Sequence, residues 1–225
     1  MRSSKERDVL VFTRTAGYRH DSIPAGAAAL AGLAVAAGLT AETTDDPAAF
    51  APDRLDRCAA VVLLSTTGTV LTDAGRAAFE AYVRRGGGLL AVHAAANAEP
   101  DWPFYGELLG TRFAGHPPLQ PGTVCVDDPA HPATAPLPAR WSWTDEWYEY
   151  ATHPRASGVH VLARADEAGD QGGTLGADHP LVWCREAAPD RGRVLFTALG
   201  HATEAYADPV FRAHLAGALQ WVTGF

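Results

Sequence analysis

The chain has 225 residues, of which 47% are apolar and 20% are charged, as in a globular protein that can bury a full core. Its 18 lysines and arginines against 26 aspartates and glutamates give a formal charge of 18 − 26 = −8 without a basic cluster, which argues against nucleic-acid and anionic-membrane partners. No apolar stretch approaches the roughly 20 residues of a membrane span.

The N-terminal residues and the cysteines indicate the compartment. Residues 1–8 are charged and lack the apolar core of a signal peptide. The three cysteines are odd in number, far apart and set in apolar runs, so we expect unbridged core residues that bind no metal: Cys58, Cys125 and Cys184. We therefore predict a cytoplasmic protein.

In the first half of the chain, apolar runs typical of strands alternate with stretches of helical spacing. The strand-like runs are 9–12, 41–44, 59–64 and 89–92. The helical stretches are 22–37, which Asp21 or Ser22 caps and Gly38 ends, and 73–83, which Thr72 or Asp73 opens. Strands separated by helices of this length predict right-handed crossovers and a parallel sheet covered on both faces.

After about Asp101 the pattern becomes irregular. A short helix is predicted at 102–109, strands at 159–163, 181–185 and 193–199, and a last helix that Asp208 caps. We predict one α/β domain over 1–225 with a mainly parallel sheet and an elaborated second half. Its neighbouring central strands should be 9–12, 61–64, 89–92 and 194–199.

One predicted strand ends in a histidine. The run from Gly86 to Val92 brings His93 to the carboxyl end of a buried strand, and we expect the small residues after it to open a helix. Hydrolases and amidotransferases place a serine or cysteine nucleophile at such a turn, in the crevice where open α/β sheets bind ligands. The order His93, His201, Glu204 matches that of a Cys–His–Glu glutaminase triad, but a histidine stands in the place of the nucleophile. The sequence therefore argues against a glutaminase.

Six short motifs are spread over the chain. They lie at 17–24, 86–95, 101–106, 145–148, 178–183 and 199–201. In this order and at this spacing they resemble the ThuA-like (trehalose-utilisation) family over essentially the whole chain. The resemblance implies a flavodoxin-like, class I glutamine amidotransferase-like three-layer sandwich. It also implies a role in bacterial carbohydrate catabolism, including disaccharides oxidised at the sugar 3-position.

Three histidines are expected to share one pocket. His20 follows the first predicted strand, His93 the fourth and His201 the last, and parallel strands bring their carboxyl ends to one side of the sheet. Imidazole suits proton transfer on sugar hydroxyls or an enolising ketone, and it is a common metal ligand. We predict His93 as the central acid or base, with His20 and His201 assisting, and all three as candidate ligands of a divalent metal ion.

Glu146 lies in an aromatic segment, 141–150, and is predicted to be the carboxylate partner of these histidines. Loss of solvent beside the rings should raise its pKa toward a range useful for acid–base chemistry. Residues predicted to contact the sugar are Tyr18, Thr66, Thr67, Trp147 and Tyr148. Residues expected to be structural are Asp145, as a loop cap, and the histidines that precede prolines, namely His116, His131, His153 and His179.

The sequence thus predicts an enzyme that acts on a disaccharide, keto-sugar or related glycoside, with hydrolysis, isomerisation and elimination all open. No nucleotide cofactor is expected, because 86–88 lacks the spacing of a dinucleotide loop and no Walker loop is present. The alternatives are a non-catalytic sugar-binding or complex-forming module and a metal-dependent hydrolase of other substrates. The sequence leaves open whether the protein forms a homo-oligomer. With its ring exposed at a strand tip, His93→Ala should abolish turnover at little cost in stability.

Overall fold

The computed structural model describes residues 8–166 and 173–225; residues 1–7, for which the sequence predicts no signal peptide, lie outside these ranges. The strands are β1 Asp8–Phe12, β2 Thr40–Thr44, β3 Cys58–Leu64, β4 Gly88–Val92, β5 Phe113–Gly115, β6 Gln120–Val126, β7 Arg140–Asp145, β8 Glu149–Tyr150, β9 His160–Ala165, β10 His179–Arg185 and β11 Val194–Thr197. The α-helices are α1 Ile23–Ala36, α2 Pro52–Leu55, α3 Asp73–Arg84, α4 Pro103–Leu109 and α5 Pro209–Thr223.

Nine of the strands form one sheet in the order β2-β1-β3-β4-β11-β10-β9-β6-β7. The first five run parallel to one another. The last four are each antiparallel to their neighbours. The predicted parallel neighbours β1, β3, β4 and β11 are therefore confirmed, although β11 ends at Thr197, two residues earlier than expected. The α/β class is also confirmed, and the elaborated second half supplies the antiparallel strands.

Helices cover both faces of the parallel half. The crossover from β1 through α1 moves outward to β2, whereas the crossover from β3 through α3 moves the other way, to β4. Right-handed connections then place α1 and α3 on opposite faces. The last helix, α5, packs against α1 and against β3 and β4. In the described ranges, no helix is both long enough and apolar enough to cross a membrane.

Four strands of the second half, β5, β6, β7 and β8, were not predicted. In β7 the even-numbered residues 140–144 are exposed, whereas Trp141 and Asp145 are buried. Only one face of this edge strand is covered, so it has no continuous apolar run. A smaller antiparallel pair, β5 and β8, lies outside the main sheet.

The predicted helix behind His93 was wrong. The chain makes a 3₁₀ turn at His93–Asn97 and leaves it extended at Ala98. Hydrogen bonds to another loop replace helical ones, because the Gly68 N–H donates to the Asn97 carbonyl and the Glu99 N–H donates to the Gly68 carbonyl. The turn is therefore tied to the loop after β3.

The three cysteines, Cys58, Cys125 and Cys184, are buried and unpaired, as predicted. Burial raises the pKa of the Cys58 thiol to about 11 and that of Cys184 to about 12. Both thiols are therefore protonated at neutral pH and behave as small core residues.

Replacing each of two helix glycines by alanine should have opposite effects on the free energy of unfolding. A Cβ at Gly217 in α5 would meet the Pro132 carbonyl oxygen at 1.9 Å, whereas one at Gly32 in α1 would meet nothing within 4 Å. We expect Gly217→Ala to lower the free energy of unfolding by about 2 kcal/mol or more. Gly32→Ala should raise it by about 0.5–1 kcal/mol, because alanine loses less conformational entropy in a helix. Urea unfolding measures both, and equal effects would contradict the close approach at Gly217.

A buried histidine in α5 should make stability depend on pH. His214 Nδ1 lies 2.7 Å from the Ala133 carbonyl oxygen and Nε2 lies 3.2 Å from Thr197 Oγ1. Burial lowers the pKa of His214 to about 4. This folded-state pKa is below the unfolded value of about 6.5, so folding favours the neutral ring. The resulting contribution to stability is complete above pH ~6.5 and is lost as the pH falls toward 4.

Urea unfolding at several pH values between 6.5 and 5 tests this sign. His214→Gln removes one titrating group, so the loss of stability with falling pH should be shallower than in the wild type by about 1 kcal/mol per pH unit. Parallel pH profiles would show that His214 is not held neutral by folding.

Candidate active site

His93 occupies a strained turn at the carboxyl end of β4. Its φ is 54°, a left-handed conformation uncommon outside glycine. The ring is fully buried, with Nδ1 2.6 Å from the Ala198 carbonyl oxygen. Because a carbonyl only accepts, Nδ1 carries a hydrogen, and Nε2 of the ring faces other side chains. The expectation of an exposed ring was therefore wrong, because tertiary packing covers the turn.

Three side chains converge on Nε2 of His93. Nε2 of His20 lies 3.1 Å away, the hydroxyl oxygen of Tyr148 lies 2.9 Å away, and Oε2 of Glu146 lies 3.4 Å away. His20 comes from the loop after β1, and Glu146 and Tyr148 come from the segment between β7 and β8. The structure thus brings residues from both halves of the chain to one atom.

Glu146 contacts two further histidines. Nδ1 of His201 lies 3.2 Å from Glu146 Oε2, within the distance of an ion pair. Nε2 of His116 lies 3.5 Å from Glu146 Oε1. His116 was predicted to be structural on the basis of the following proline, yet its ring also stacks on Tyr148. His116 lies in the loop before β6, and no sequence spacing connects it to Glu146, so this contact could not be predicted.

The pKa values of the cluster move in opposite directions. Burial, together with the neighbouring His93 and His201, lowers the pKa of His20 to about 3. Burial alone would raise the pKa of Glu146, but its contacts with His201 and His93 outweigh this and hold it well below the usual range. The predicted rise for Glu146 was therefore wrong in sign. The same carboxylate raises the pKa of His201. Glu146 is ionised and His20 is neutral at pH 7.

Asp145 fixes the backbone of two residues of the cluster by accepting hydrogen bonds from them. It is fully buried, and its Oδ1 accepts the backbone N–H groups of Glu146 at 2.9 Å and His201 at 3.2 Å. Its Oδ2 accepts the Gly200 N–H and the Trp143 indole N–H, both at 2.8 Å. The predicted loop cap thus joins the loop after β11 to the end of β7, and it fixes two residues of the cluster.

The residues predicted to contact a sugar differ in exposure. Tyr18 is 66% exposed and its ring centroid lies 4.7 Å from that of His20, so its outer side is open at the mouth of the cluster. Tyr148 is buried, and burial raises its pKa well above 10. Thr67 is buried and binds the loop of Tyr18, since its hydroxyl donates to the Tyr18 carbonyl at 2.8 Å.

Of these five residues only Tyr18 is exposed; Trp147 and Thr66, like Thr67 and Tyr148, are covered by protein. Trp147 is 1% exposed and its indole N–H donates to the Gln120 carbonyl at 3.2 Å, so its ring has no open face for a sugar. Thr66 is fully buried. Trp147 and Thr66 are therefore packed inside the protein rather than open to a sugar.

The cluster has the composition of a transition-metal site. One ligand atom from each of His20, His93, Glu146 and His201 lies within 4.8 Å of the other three. Three imidazole nitrogens and a carboxylate oxygen suit zinc, iron, cobalt, nickel or manganese rather than calcium. The bond from His93 Nδ1 to the Ala198 carbonyl is of the kind that orients a metal-binding imidazole.

Comparison with known proteins identifies the family. The family model ThuA, described as "Trehalose utilisation", matches residues 8–222. The chain belongs to the ThuA family. Comparison with curated proteins gives no match.

The solved structures that resemble this chain include other ThuA-like proteins. A putative ThuA-like protein from Bacteroides uniformis is 25% identical, with a TM-score of 0.79 over 99% of this chain and 94% of that one. A second, from Parabacteroides merdae, is 22% identical, with a TM-score of 0.78 over 98% and 91%. The glutaminase domain of a Trypanosoma brucei CTPS is 9% identical, with a TM-score of 0.52 over 94% of both chains. This last likeness bears out the amidotransferase-like fold and nothing further.

Proposed function

We propose that this ThuA-family protein is a cytoplasmic enzyme of sugar metabolism that uses a divalent transition metal and acid–base chemistry. Its substrate would be a disaccharide, a keto-sugar or a related glycoside. The family description supports the sugar, and the three unpaired cysteines fit a reducing compartment. The spacing of the ligand atoms around Glu146 and His93 is the observation that carries the proposal.

Three of the six distances between these four atoms fit the edges of a coordination polyhedron, and all six are within 4.8 Å. Ligands that each lie about 2.1 Å from a zinc-sized ion at angles of 90–109° are about 3.0–3.4 Å apart. The corresponding distances are 3.1 Å for His20 to His93, 3.4 Å for His93 to Glu146 and 3.2 Å for His201 to Glu146. We therefore assign His20, His93, His201 and Glu146 as ligands, and His93 as a ligand rather than the free base.

A bound divalent ion would polarise a carbonyl or hydroxyl oxygen of the sugar and lower the pKa of a coordinated hydroxyl or water. The protein supplies the proton transfers. Glu146 is ionised, and its Oε1, on the side of His116, accepts a hydrogen bond from a substrate hydroxyl. His116, with its side chain one-third exposed, takes up the substrate proton and passes it to solvent. Tyr148 keeps its proton; its hydroxyl, which bonds to His93 Nε2 without metal, would donate to a substrate oxygen once that nitrogen held the ion. Tyr18 contacts the sugar at the mouth.

Metal binding and turnover should be measured on the same preparation. We expect the metal-stripped protein to bind about one equivalent of Zn²⁺, Mn²⁺ or Co²⁺ in a calorimeter. The loaded protein should convert a 3-oxidised or an unoxidised disaccharide, and chelator should abolish this activity. Metal binding without turnover of either sugar would overturn the sugar-converting role and leave a non-catalytic module or a metal-dependent hydrolase of other substrates. Turnover that survives complete metal removal would overturn the metal assignment.

A further inference from the structure

A cavity of about 640 Å³ lies between the β6–β7 edge of the sheet and residues 202–208. This volume is within the ~300–1,000 Å³ typical of small-molecule sites. None of the four proposed metal ligands is among the described residues that line it. The side chains that give it its chemistry are two indoles and two carboxylates, those of Trp141, Trp143, Glu204 and Asp208. We call this cavity the tryptophan groove.

Two indoles form an aromatic wall of the tryptophan groove. Trp141 and Trp143 lie two residues apart on β7, so their side chains are on the same face of this edge strand. Their ring centroids are 4.2 Å apart. The Trp143 indole N–H donates to Asp145 Oδ2 at 2.8 Å, and its ring centroid lies 5.5 Å from that of Phe211. These contacts fix the Trp143 ring before any ligand binds, and the faces of both rings carry negative partial charge.

The groove also carries negative charge that no neighbouring cation offsets. Of the described residues that line it, two are acidic and none is lysine, arginine or histidine. The arginines closest to these residues in sequence have other partners, because Arg140 pairs with Asp166 and Arg212 donates to a backbone carbonyl. Asp208 caps α5 through its Oδ1. The exposed Glu204 is therefore the carboxylate that can face a ligand.

These features define the class of ligand. The two carboxylates disfavour an anion. Among the described residues, the one cluster that could hold a metal ion includes neither Glu204 nor Asp208. A primary ammonium has three N–H donors to satisfy, whereas a quaternary ammonium has none and spreads its charge over methyl groups that pack on an aromatic face. Indole is the aromatic ring that attracts such a cation most strongly.

We propose that the tryptophan groove binds a small organic cation whose charge is carried by an alkylated ammonium group. This group lies against Trp141 and Trp143, and Glu204 offsets its charge. The formal charge of −8 on the whole chain raises the concentration of cations near its surface. The site is separate from the proposed function, because it requires neither the metal nor the sugar.

Calorimetric titration of the full chain with choline, tetramethylammonium and 3,3-dimethylbutan-1-ol tests the proposal. The alcohol has the shape of choline, with a carbon atom in place of the charged nitrogen. Choline should bind at least about tenfold more tightly than the alcohol, because only choline gains the attraction of the indoles and of Glu204. Added NaCl should weaken choline binding and leave that of the alcohol unchanged, because salt screens only the charge interaction.

Variants of the groove should separate the two contributions. Glu204→Gln should weaken choline binding about threefold to fivefold and leave that of the alcohol unchanged. Trp141→Leu should weaken choline binding about tenfold, and Trp141→Phe, which keeps an aromatic ring, should weaken it less. Since Trp141 is also a core residue, thermal unfolding checks that both variants fold, and Glu204→Gln tests the proposal without changing the core. Glu107→Gln is the matched control, because Glu107 is exposed on α4 and lines a different cavity.

The proposal is overturned if neither choline nor tetramethylammonium binds. It is also overturned if the alcohol binds as tightly as choline, which would make the groove an apolar cavity. A loss of choline affinity in Glu107→Gln as large as that in Glu204→Gln would show attraction by the net charge rather than binding in the groove. Metal-stripped and metal-loaded protein should give the same result, so a failure of the proposed metal site leaves this test unaffected.

Discussion

Glu146→Gln is expected to lower sugar turnover and metal affinity by at least about 100-fold each. The substitution keeps the size of the side chain but removes the charge that faces His93, His201 and His116. In the metal-free protein it should also lower the pKa of His201, because the Glu146 carboxylate is what raises it. Calorimetry with metal, turnover assays and an NMR titration of His201 measure the three effects.

Glu149→Gln is the matched control for this prediction. Glu149 lies three residues further on, and its carboxylate binds the backbone N–H and the hydroxyl of Thr174 rather than a histidine. It should leave metal affinity and the pKa of His201 unchanged. An unaltered His201 pKa in Glu146→Gln would show that the two side chains do not interact in solution, and it would remove the basis for the ligand assignment.

Replacing His93 is expected to have two large effects at once. His93→Ala should abolish metal binding and turnover, and it should also destabilise the fold by about 2–4 kcal/mol. The Ala198 carbonyl loses its donor and the buried Tyr148 hydroxyl loses its acceptor. His93→Asn should equally lose metal and activity but be the more stable of the two by about 1 kcal/mol, since asparagine tolerates the left-handed backbone at φ 54° better.

Thermal unfolding with and without metal separates these effects. Metal should stabilise the wild type, because any ligand that binds the native state raises its stability. Metal should not stabilise either His93 variant. His160→Ala, which removes an exposed histidine that pairs with Asp128, should behave as the wild type does. Undiminished metal binding by His93→Asn would show that His93 is a core residue and not a ligand.

The parallel half of the fold was predictable because its strands carry the signal themselves. Every residue of β3 and β4 is buried, so the apolar runs at 59–64 and 89–92 could only be central strands. Their carboxyl ends then placed His20, His93 and His201 together, and the structure brings all three into one cluster. The topological argument needed no knowledge of side-chain packing.

The other part of the site could not be predicted in this way. His116 reaches the cluster from the loop after β5, a strand whose pairing with β8 depends on distant contacts and leaves no periodic pattern. The sign of the Glu146 pKa change depends on which histidines face the carboxylate. The local sequence shows only the aromatic residues next to Glu146, which alone predict a raised pKa. Trp147 is adjacent to Glu146 in sequence, yet it faces the core, because consecutive residues of an extended chain point to opposite sides.

The cluster of His20, His93, Glu146 and His201, here the His–Glu centre, spans the boundary between the two halves of the sheet. His20, His93 and His201 follow strands of the parallel half, whereas Glu146 and Tyr148 arrive from beyond its antiparallel edge. An ion held by the first three and by Glu146 would act as a cross-link between segments up to 181 residues apart in sequence. Its removal should loosen the segment around Glu146 before it loosens β4, so amide hydrogen exchange there would report occupancy of the centre without any substrate.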